Sequence, residues 1–156
     1  MESTCKDISI SEDLKSYVSF IRRNKIREVI SDIIKLSQDL KLPVLKQLAG
    51  QSAEKIYQLF HLGVHEFFND ILMENPIEGV KKLLAQWRNK QVASEITSLS
   101  IDDIVSSYMI RKQVLVSYIN DYSSEPLVYI NLVQELNNIV CLAEKAAMDA
   151  LGFGAN

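Results

Sequence analysis

The sequence predicts an all-α fold of about six helices. Apolar residues recur at spacings of three and four, which places them on one side of a helix and does not match the alternation of a strand. The 156 residues include only 5 glycines and 3 prolines, which cluster at segment boundaries, so the segments between them are long enough for helices. A chain of this length forms one domain, residues 1–156, and we expect a flexible N-terminus over about residues 1–10.

The first two helices are predicted from a capping signal and from apolar spacing. Ser9 and Glu12 form a capping-box pattern ahead of a helix that ends near Arg23. A second helix covers about residues 25–40, where pairs of β-branched residues recur at a spacing of four, which is helical.

A proline and a serine mark the next two segments. Pro43 ends the second helix and opens a short helical turn to Ala49, after which Gly50 offers a left-handed C-terminal cap. Ser52 starts the third main helix, residues 52–74. This helix has the widest apolar face of the chain, so we expect it to be central.

Proline also marks the start of a fourth and a last helix. Asn75 caps a helix that begins at Pro76 and continues to about residue 96.

The last helix covers residues 125–151 and has an apolar face broader than one intramolecular contact usually needs. Part of that face is therefore expected to meet a second copy of the chain.

The segment between these helices, residues 100–122, is the most informative part of the sequence. Ser100 and Asp103 form a second capping box, and an apolar stripe follows that is broken by Arg111 and Lys112. Two interpretations of this basic pair are open. Either a positive group reaches into a cavity to bind an anionic ligand, or the long side chains cover apolar surface and keep their charged ends in water.

Aromatic and histidine side chains supply the other candidate site residues. Tyr108 and Phe60 are predicted to line a pocket, although aromatic residues at helical spacing also form ordinary core. His61 and His65 lie one turn apart and could present two imidazoles to one metal, but a third ligand would have to come from elsewhere. Partly packed polar histidines are the simpler interpretation, and we predict no metal and no cofactor. The candidate ligand-binding residues are Arg111, Lys112, Tyr108, Phe60 and His61.

Composition and missing motifs exclude several function classes. The net charge is −3 with both signs mixed along the chain, which argues against a nucleic-acid partner. We expect no membrane insertion, since no apolar run approaches about 18 residues, and no signal peptide. Cys5 and Cys141 lack metal or redox spacing, so we predict a cytoplasmic protein in which Cys141 is a buried, inert thiol. The sequence contains no phosphate-binding glycine loop and no nucleophile elbow, so we predict that it is not an enzyme.

Four stretches carry a family resemblance: LPVLKQLAGQSAEKI, VHEFFNDIL, NPIEGVKKLLAQW and ITSLSIDDIVSSYMIRKQVLVSYI. Together they resemble the N-terminal sensor domain of RsbR-type proteins, the non-heme globin-like input module of stressosomes and related bacterial stress-response signalling proteins. In the last stretch, the Ser100 helix start, Tyr108 and the basic pair Arg111 and Lys112 stand where family members carry a capped start, an aromatic residue and a basic pair. The resemblance covers about half of the chain.

The resemblance implies a globin-like helical bundle that forms a homodimer through its last two helices. The expected interface residues are Ile119, Tyr122, Leu132, Leu136 and Ile139. It also implies a signal-transduction input domain that binds a small ligand or a protein partner and relays the signal, by rearrangement of helices or dimer, to an output module such as a histidine kinase or a STAS domain. We expect the chain to be either an excised domain of a longer regulator or a standalone binder.

Two other functions are open at this point. The first is a heme-binding globin-type sensor that uses His61 or His65. In the globin comparison the axial histidine should come from the helix at residues 76–96, which contains none. The second is a plain interaction scaffold without a ligand pocket, which would differ from a sensor because no small molecule would raise its melting temperature.

Overall fold

The computed structural model describes residues 10–89 and 100–150. These ranges contain seven α-helices, one 3₁₀ helix and no strand, so the prediction of an all-α fold is confirmed. The elements are α1 Glu12–Asn24, α2 Ile26–Asp39, the 3₁₀ helix Pro43–Leu48, α3 Ala53–Leu72, α4 Glu78–Asn89, α5 Ile101–Ser117, α6 Ile119–Tyr122 and α7 Pro126–Ala150. The predicted flexible terminus lies outside the described residues except for Ile10, which is buried.

The N-terminal cap of α1 is Ser11 and not Ser9, which lies outside the described residues. The Ser11 hydroxyl accepts the N–H of Leu14, while the backbone N–H of Ser11 donates to Oε2 of Glu135 in α7 at 3.0 Å. The Ser11 hydroxyl donates to the other oxygen of the same carboxylate. Ser11 therefore combines a local cap bond with a tertiary contact to α7, and only the tertiary contact is invisible in the local sequence.

The predicted turn at Pro43 is confirmed as a 3₁₀ helix, but its predicted glycine cap is wrong. The left-handed residue of this region is Lys41, with φ 54°, in the turn that leads from α2 into the 3₁₀ helix. Gly50 has no left-handed φ, because the turn closes with right-handed residues and the N–H of Gln51 donates to the carbonyl of Leu48. A 3₁₀ end of this kind needs no left-handed cap.

The start of α4 was predicted two residues too early. Asn75 and Pro76 lie in a turn, where the carbonyl of Asn75 accepts the N–H of Glu78 and α4 begins at Glu78. Residues 90–96, at the end of the predicted helix, lie outside the described residues. The predicted cap of α3 is confirmed, since the Ser52 hydroxyl accepts the N–H of Lys55 at 3.1 Å.

The predicted helix at residues 100–122 is two helices. Its capping box at Ser100 and Asp103 is confirmed, but α5 ends at Ser117 and the short α6 follows after Tyr118. The Tyr118 hydroxyl donates to Asp32 of α2 at 2.5 Å. This break turns the chain so that the side chain of Ile119 enters the core, where it is fully buried.

One buried cluster takes apolar side chains from every described helix. Within it, α5 and not α3 is the central element, because α5 packs most extensively against α7 and also contacts α2, α4, α6 and the 3₁₀ helix. The prediction that the third main helix is central is therefore wrong. None of the helices in the two described ranges is long and apolar enough to cross a lipid bilayer.

Candidate ligand-binding site

A cavity of about 130 Å³ lies where α2, the 3₁₀ helix, α3 and α5 meet. Most of its wall is apolar. The 3₁₀ helix contributes Val44 and Leu48, α3 contributes Leu59 and Phe60, and α5 contributes Ile104. An apolar chamber with few polar groups is the usual form of a small-molecule site.

Two serines at the cavity have already used their hydroxyl protons. The Ser37 hydroxyl donates to the carbonyl of Ile33 at 2.7 Å, and the Ser107 hydroxyl donates to the carbonyl of Ile104 at 2.7 Å. Both bonds return to the serine's own helix, a common arrangement for serine within a helix. These residues can still accept hydrogen bonds, but their protons are not directed at a ligand.

Asp103 also lines the cavity, and its charge is compensated by hydrogen bonds. Oδ1 accepts the N–H of Val44 at 3.0 Å, and Oδ2 accepts the N–H of Ser100 at 3.1 Å and its hydroxyl at 2.9 Å. The residue is 3% exposed. Asp103 therefore ties the 3₁₀ helix to the start of α5 and forms one end of the cavity wall, with three donors satisfying its carboxylate.

Arg111 supplies the one cationic side chain among the described residues that line the cavity. Its guanidinium carbon lies 5.3 Å from the ring centre of Phe67 and 5.1 Å from that of Tyr108, within the range of cation–π attraction. A guanidinium nitrogen passes over α3 at Gly63, 3.1 Å from the point where a Cβ atom would stand. A glycine inside a helix costs about 1 kcal/mol relative to alanine, and here it makes room for the guanidinium.

No carboxylate in the described part of the chain lies within ion-pair distance of Arg111. Burial lowers the pKa of Arg111, while the adjacent Tyr108, and after it the charges of Glu66 and Asp70, act in the opposite direction. A guanidinium stays protonated under such conditions. The site therefore holds a positive charge next to an apolar cavity, without a carboxylate directly bound to it.

Tyr108 supports this guanidinium from the side away from solvent. It is 1% exposed, and its ring meets that of Phe67 edge to face at 5.5 Å. Burial raises the pKa of Tyr108, and the charge of Arg111 acts against that rise. The hydroxyl lies close to Gly79, where an added Cβ would stand 3.0 Å from it and 2.4 Å from Oδ2 of Asp70. Gly79 therefore lets the start of α4 approach α3 and α5.

The five predicted ligand-binding residues do not all meet. Phe60 and Arg111 line the same cavity, and Tyr108 packs on Arg111. Lys112 does not line it, because the next residue of a helix points about 100° away. His61 does not line it either, since its ring stacks on that of His65 at 4.1 Å between centres and on that of Tyr57 at 5.9 Å.

The histidine pair has no further ligands nearby. No group of three or more His, Cys, Asp or Glu side chains that could hold a metal ion occurs within residues 10–89 and 100–150. Burial lowers the pKa of His65, as do the nearby His61 and Arg22. Arg22 also donates to the carbonyl of His65 at 3.1 Å, which places a positive charge beside the pair.

The predicted dimer residues are used inside the protomer, which corrects the expectation that they face a partner. Ile119, Leu132, Leu136 and Ile139 are at most 1% exposed. Tyr122 is half-buried and its ring lies against those of Tyr17 and Phe20, at 5.3 and 5.6 Å. Ile119, Leu132, Leu136 and Ile139 therefore belong to the protomer's own core, whereas Leu127, Ile130 and Met148 of α7 are exposed.

The prediction that Cys141 is a free, inert thiol is wrong, because Cys141 is disulfide-bonded. Cys5 lies outside the described residues, as does the predicted end of the last helix at residue 151. The argument from the cysteines for a reducing, cytoplasmic location therefore loses its support.

Several residues of the site were not predicted as such. Gly63 carried a usable signal, because a glycine in the middle of a strongly apolar helix usually has a packing reason. Asp103 was predicted only as a cap, and its second bond to Val44 depends on where the 3₁₀ helix lies. Phe67 was indistinguishable in sequence from any other core aromatic.

No protein-family model matches this chain, and no curated protein and no solved structure is significantly similar to it. Its function must therefore be inferred from the site itself.

Proposed function

We propose that this chain is a signal-input domain that binds a small ligand in the cavity and performs no chemistry of its own. The observation that carries this proposal is the apolar cavity of about 130 Å³ with Arg111 in its lining. Native interiors are close-packed and contain few such voids, and a void lined by a cationic residue without a carboxylate partner among the described residues is suited to binding.

The signal would leave the site through α5. This helix lines the cavity with Ile104, Ser107 and Arg111, and it also makes its most extensive contact with α7. A ligand shifts such an arrangement only if it binds two packing states with different affinity. Occupancy of the cavity would favour one position of α5 and thereby one packing of α7, which an attached or separate output module, such as a histidine kinase or a STAS domain, would detect.

The family assignment is part of this proposal. The segments that resemble RsbR-type sensor domains include the 3₁₀ helix, α3, α4 and α5. The 3₁₀ helix, α3 and α5 line the cavity together with α2, and α4 approaches the hydroxyl of Tyr108 at Gly79. The globin-like arrangement and the homodimer are proposed on the same resemblance, whereas the cytoplasmic location was predicted from the cysteines and loses that argument because Cys141 is disulfide-bonded. A dimer would have to use residues other than the buried ones of α6 and α7.

The first test is whether the cavity accepts a small apolar molecule and whether α7 responds. Benzene is a suitable neutral probe, since a buried apolar cavity of about 150 Å³ in another protein binds it. We expect benzene to raise the melting temperature of the whole chain and to change hydrogen exchange in α7 as well as in α3 and α5. A matched variant, Ser107→Leu, fills the cavity from α5 and should abolish both effects.

Two results would count against the proposal. If no small molecule raises the melting temperature, the cavity is not a ligand site and the interaction scaffold becomes the better interpretation. If benzene binds but the exchange of α7 does not change, the chain binds ligands without relaying them. Light scattering with and without benzene tests the proposed homodimer in the same samples.

The heme alternative gains no support from the geometry. His61 and His65 face each other outside the cavity lining, and the cavity is smaller than the roughly 300–1,000 Å³ of ordinary cofactor pockets. An absorption spectrum of the purified protein tests this directly, because bound heme would give a Soret band.

A further inference from the structure

We propose that the ligand is a small monocarboxylate of about six non-hydrogen atoms, of which butyrate is the simplest example, held by Arg111 with its aliphatic part in the apolar cavity. This inference rests on the proposed function, since it names the class of ligand for the same cavity.

The charge of the ligand follows from what Arg111 lacks. Its guanidinium has five N–H donors and no carboxylate at ion-pair distance among the described residues, and the neighbours that touch it are the ring of Phe67 and the ring and hydroxyl of Tyr108, which leave several donors for a ligand. The planar guanidinium matches a carboxylate, which it can bind with two parallel hydrogen bonds. A single cation balances one negative charge, so a monocarboxylate fits better than a phosphate dianion.

The other polar groups of the cavity indicate that the carboxylate of the ligand binds at the Arg111 end. The Ser37 and Ser107 hydroxyls donate within their own helices, and the carboxylate of Asp103 is held by three donors. Asp103 and Arg111 are eight residues apart on α5, about 12 Å along its axis. Because Asp103 repels a second carboxylate, the head of the ligand must lie at the Arg111 end.

The size of the ligand follows from the volume. A cavity of about 150 Å³ accommodates benzene, which has six non-hydrogen atoms, so about 130 Å³ accommodates five or six. After the three atoms of the carboxylate, two or three carbons remain for contact with Leu59, Phe60 and Leu48. A long-chain fatty acid would not fit, and the ammonium group of a zwitterionic amino acid would have to be desolvated against a mostly apolar wall.

The deciding experiment compares butyrate with butyramide, which has the same size and shape but no charge. Both are titrated into the full-length chain, with octanoate and inorganic phosphate as larger and more highly charged probes, and binding is followed by calorimetry and by the amide NMR shifts of Gly63 and Ile104. We expect butyrate to bind at least ten times more tightly than butyramide, with shifts at both amides, and octanoate and phosphate to bind more weakly than butyrate.

Two variants locate the charge. Arg111→Met keeps an unbranched stem but removes the guanidinium, and it should weaken butyrate at least tenfold while changing butyramide less than threefold. Lys112→Met removes the same charge from the next residue, which does not line the cavity, and should leave butyrate binding within twofold. The comparison of the two probes in the unaltered chain needs no variant and therefore stands even if Arg111→Met does not fold.

The outcomes separate this inference from the proposed function. Equal binding of butyrate and butyramide would overturn the carboxylate class, and benzene or butyramide binding would leave the cavity as a ligand site. Tight binding of octanoate would overturn the size argument. Failure of every probe, benzene included, would overturn the ligand-binding function and this inference together.

Discussion

The guanidinium of Arg111 lies over the backbone of Gly63, 3.1 Å from the point that a Cβ atom on that glycine would occupy. Gly63 of α3 thus leaves room for the charged end of a side chain on α5, a helix distant in sequence. The guanidinium lies against the rings of Phe67 and Tyr108, and a side chain at position 63 would displace it. Arg111 and Gly63 both line the cavity.

The first prediction is that Gly63→Ala moves the guanidinium and weakens anion binding without unfolding the protein. Alanine gains about 1 kcal/mol of helix propensity, which offsets the cost of shifting a flexible side-chain end by a few tenths of an ångström. We expect butyrate affinity to fall several-fold and the free energy of unfolding, measured in urea, to change by less than about 1 kcal/mol. Gly50→Ala is the matched control, since a Cβ there meets nothing within 4 Å. An unchanged affinity in Gly63→Ala would show that the position of Arg111 does not matter for binding.

The second prediction concerns the joint between the 3₁₀ helix and α5. Asp103→Asn puts an N–H₂ group where one carboxylate oxygen now accepts from Val44 or Ser100, so a donor would face a donor. We expect a loss of about 1–3 kcal/mol in the free energy of unfolding. Asp102→Asn removes the same charge from the same helical turn at an exposed position, so the difference between the two variants measures the buried hydrogen bonds. If both variants lose the same free energy of unfolding, the loss comes from the interaction of the charge with the helix dipole and not from the buried hydrogen bonds.

The third prediction concerns the hydroxyl that joins α1 to α5. Tyr17 is fully buried and its hydroxyl donates to the carbonyl of Leu115, and burial strongly raises the pKa of Tyr17. Tyr17→Phe keeps the ring and removes the bond, while Leu115 retains the N–H of Tyr118 as a donor at 3.2 Å. We therefore expect a moderate loss of about 0.5–1.5 kcal/mol by urea denaturation, with no change in ligand affinity. A higher free energy of unfolding in Tyr17→Phe would contradict a stabilising role for this hydrogen bond.

The fourth prediction is a pH dependence that comes from His65. Burial, His61 and Arg22 lower the pKa of His65 below its ordinary value of 6.5, so the folded chain binds this proton less readily than the unfolded chain does. The stability that neutral His65 contributes is complete above about pH 6.5 and is lost as the pH falls through the lower, folded pKa. His61→Gln removes one of the repelling groups, so an NMR titration of the His65 ring should show a higher pKa in that variant. A His65 pKa that is unchanged by His61→Gln would contradict the coupling between the two stacked rings.

The helices could be predicted from sequence to within a few residues, and the site only in part. Phe60 and Arg111 line one cavity and Tyr108 packs on Arg111, but His61 and Lys112 do not join them. Helical periodicity shows which residues share a face, but it does not show which neighbouring helix covers that face. For the same reason, apolar residues predicted for a dimer, such as Leu136, lie in the protomer's own core.

The sequence by itself determined the all-α class and the caps of α3 and α5. Ser52 and Ser100 bond to N–H groups three residues away, and such contacts depend on local chain geometry alone. Only the tertiary structure decided that Ser11, the cap of α1, bonds to Glu135 of α7 and that Arg111 rather than Lys112 lines the cavity. These choices depend on side chains more than 40 residues apart in sequence, whose meeting is set by the packing of whole helices.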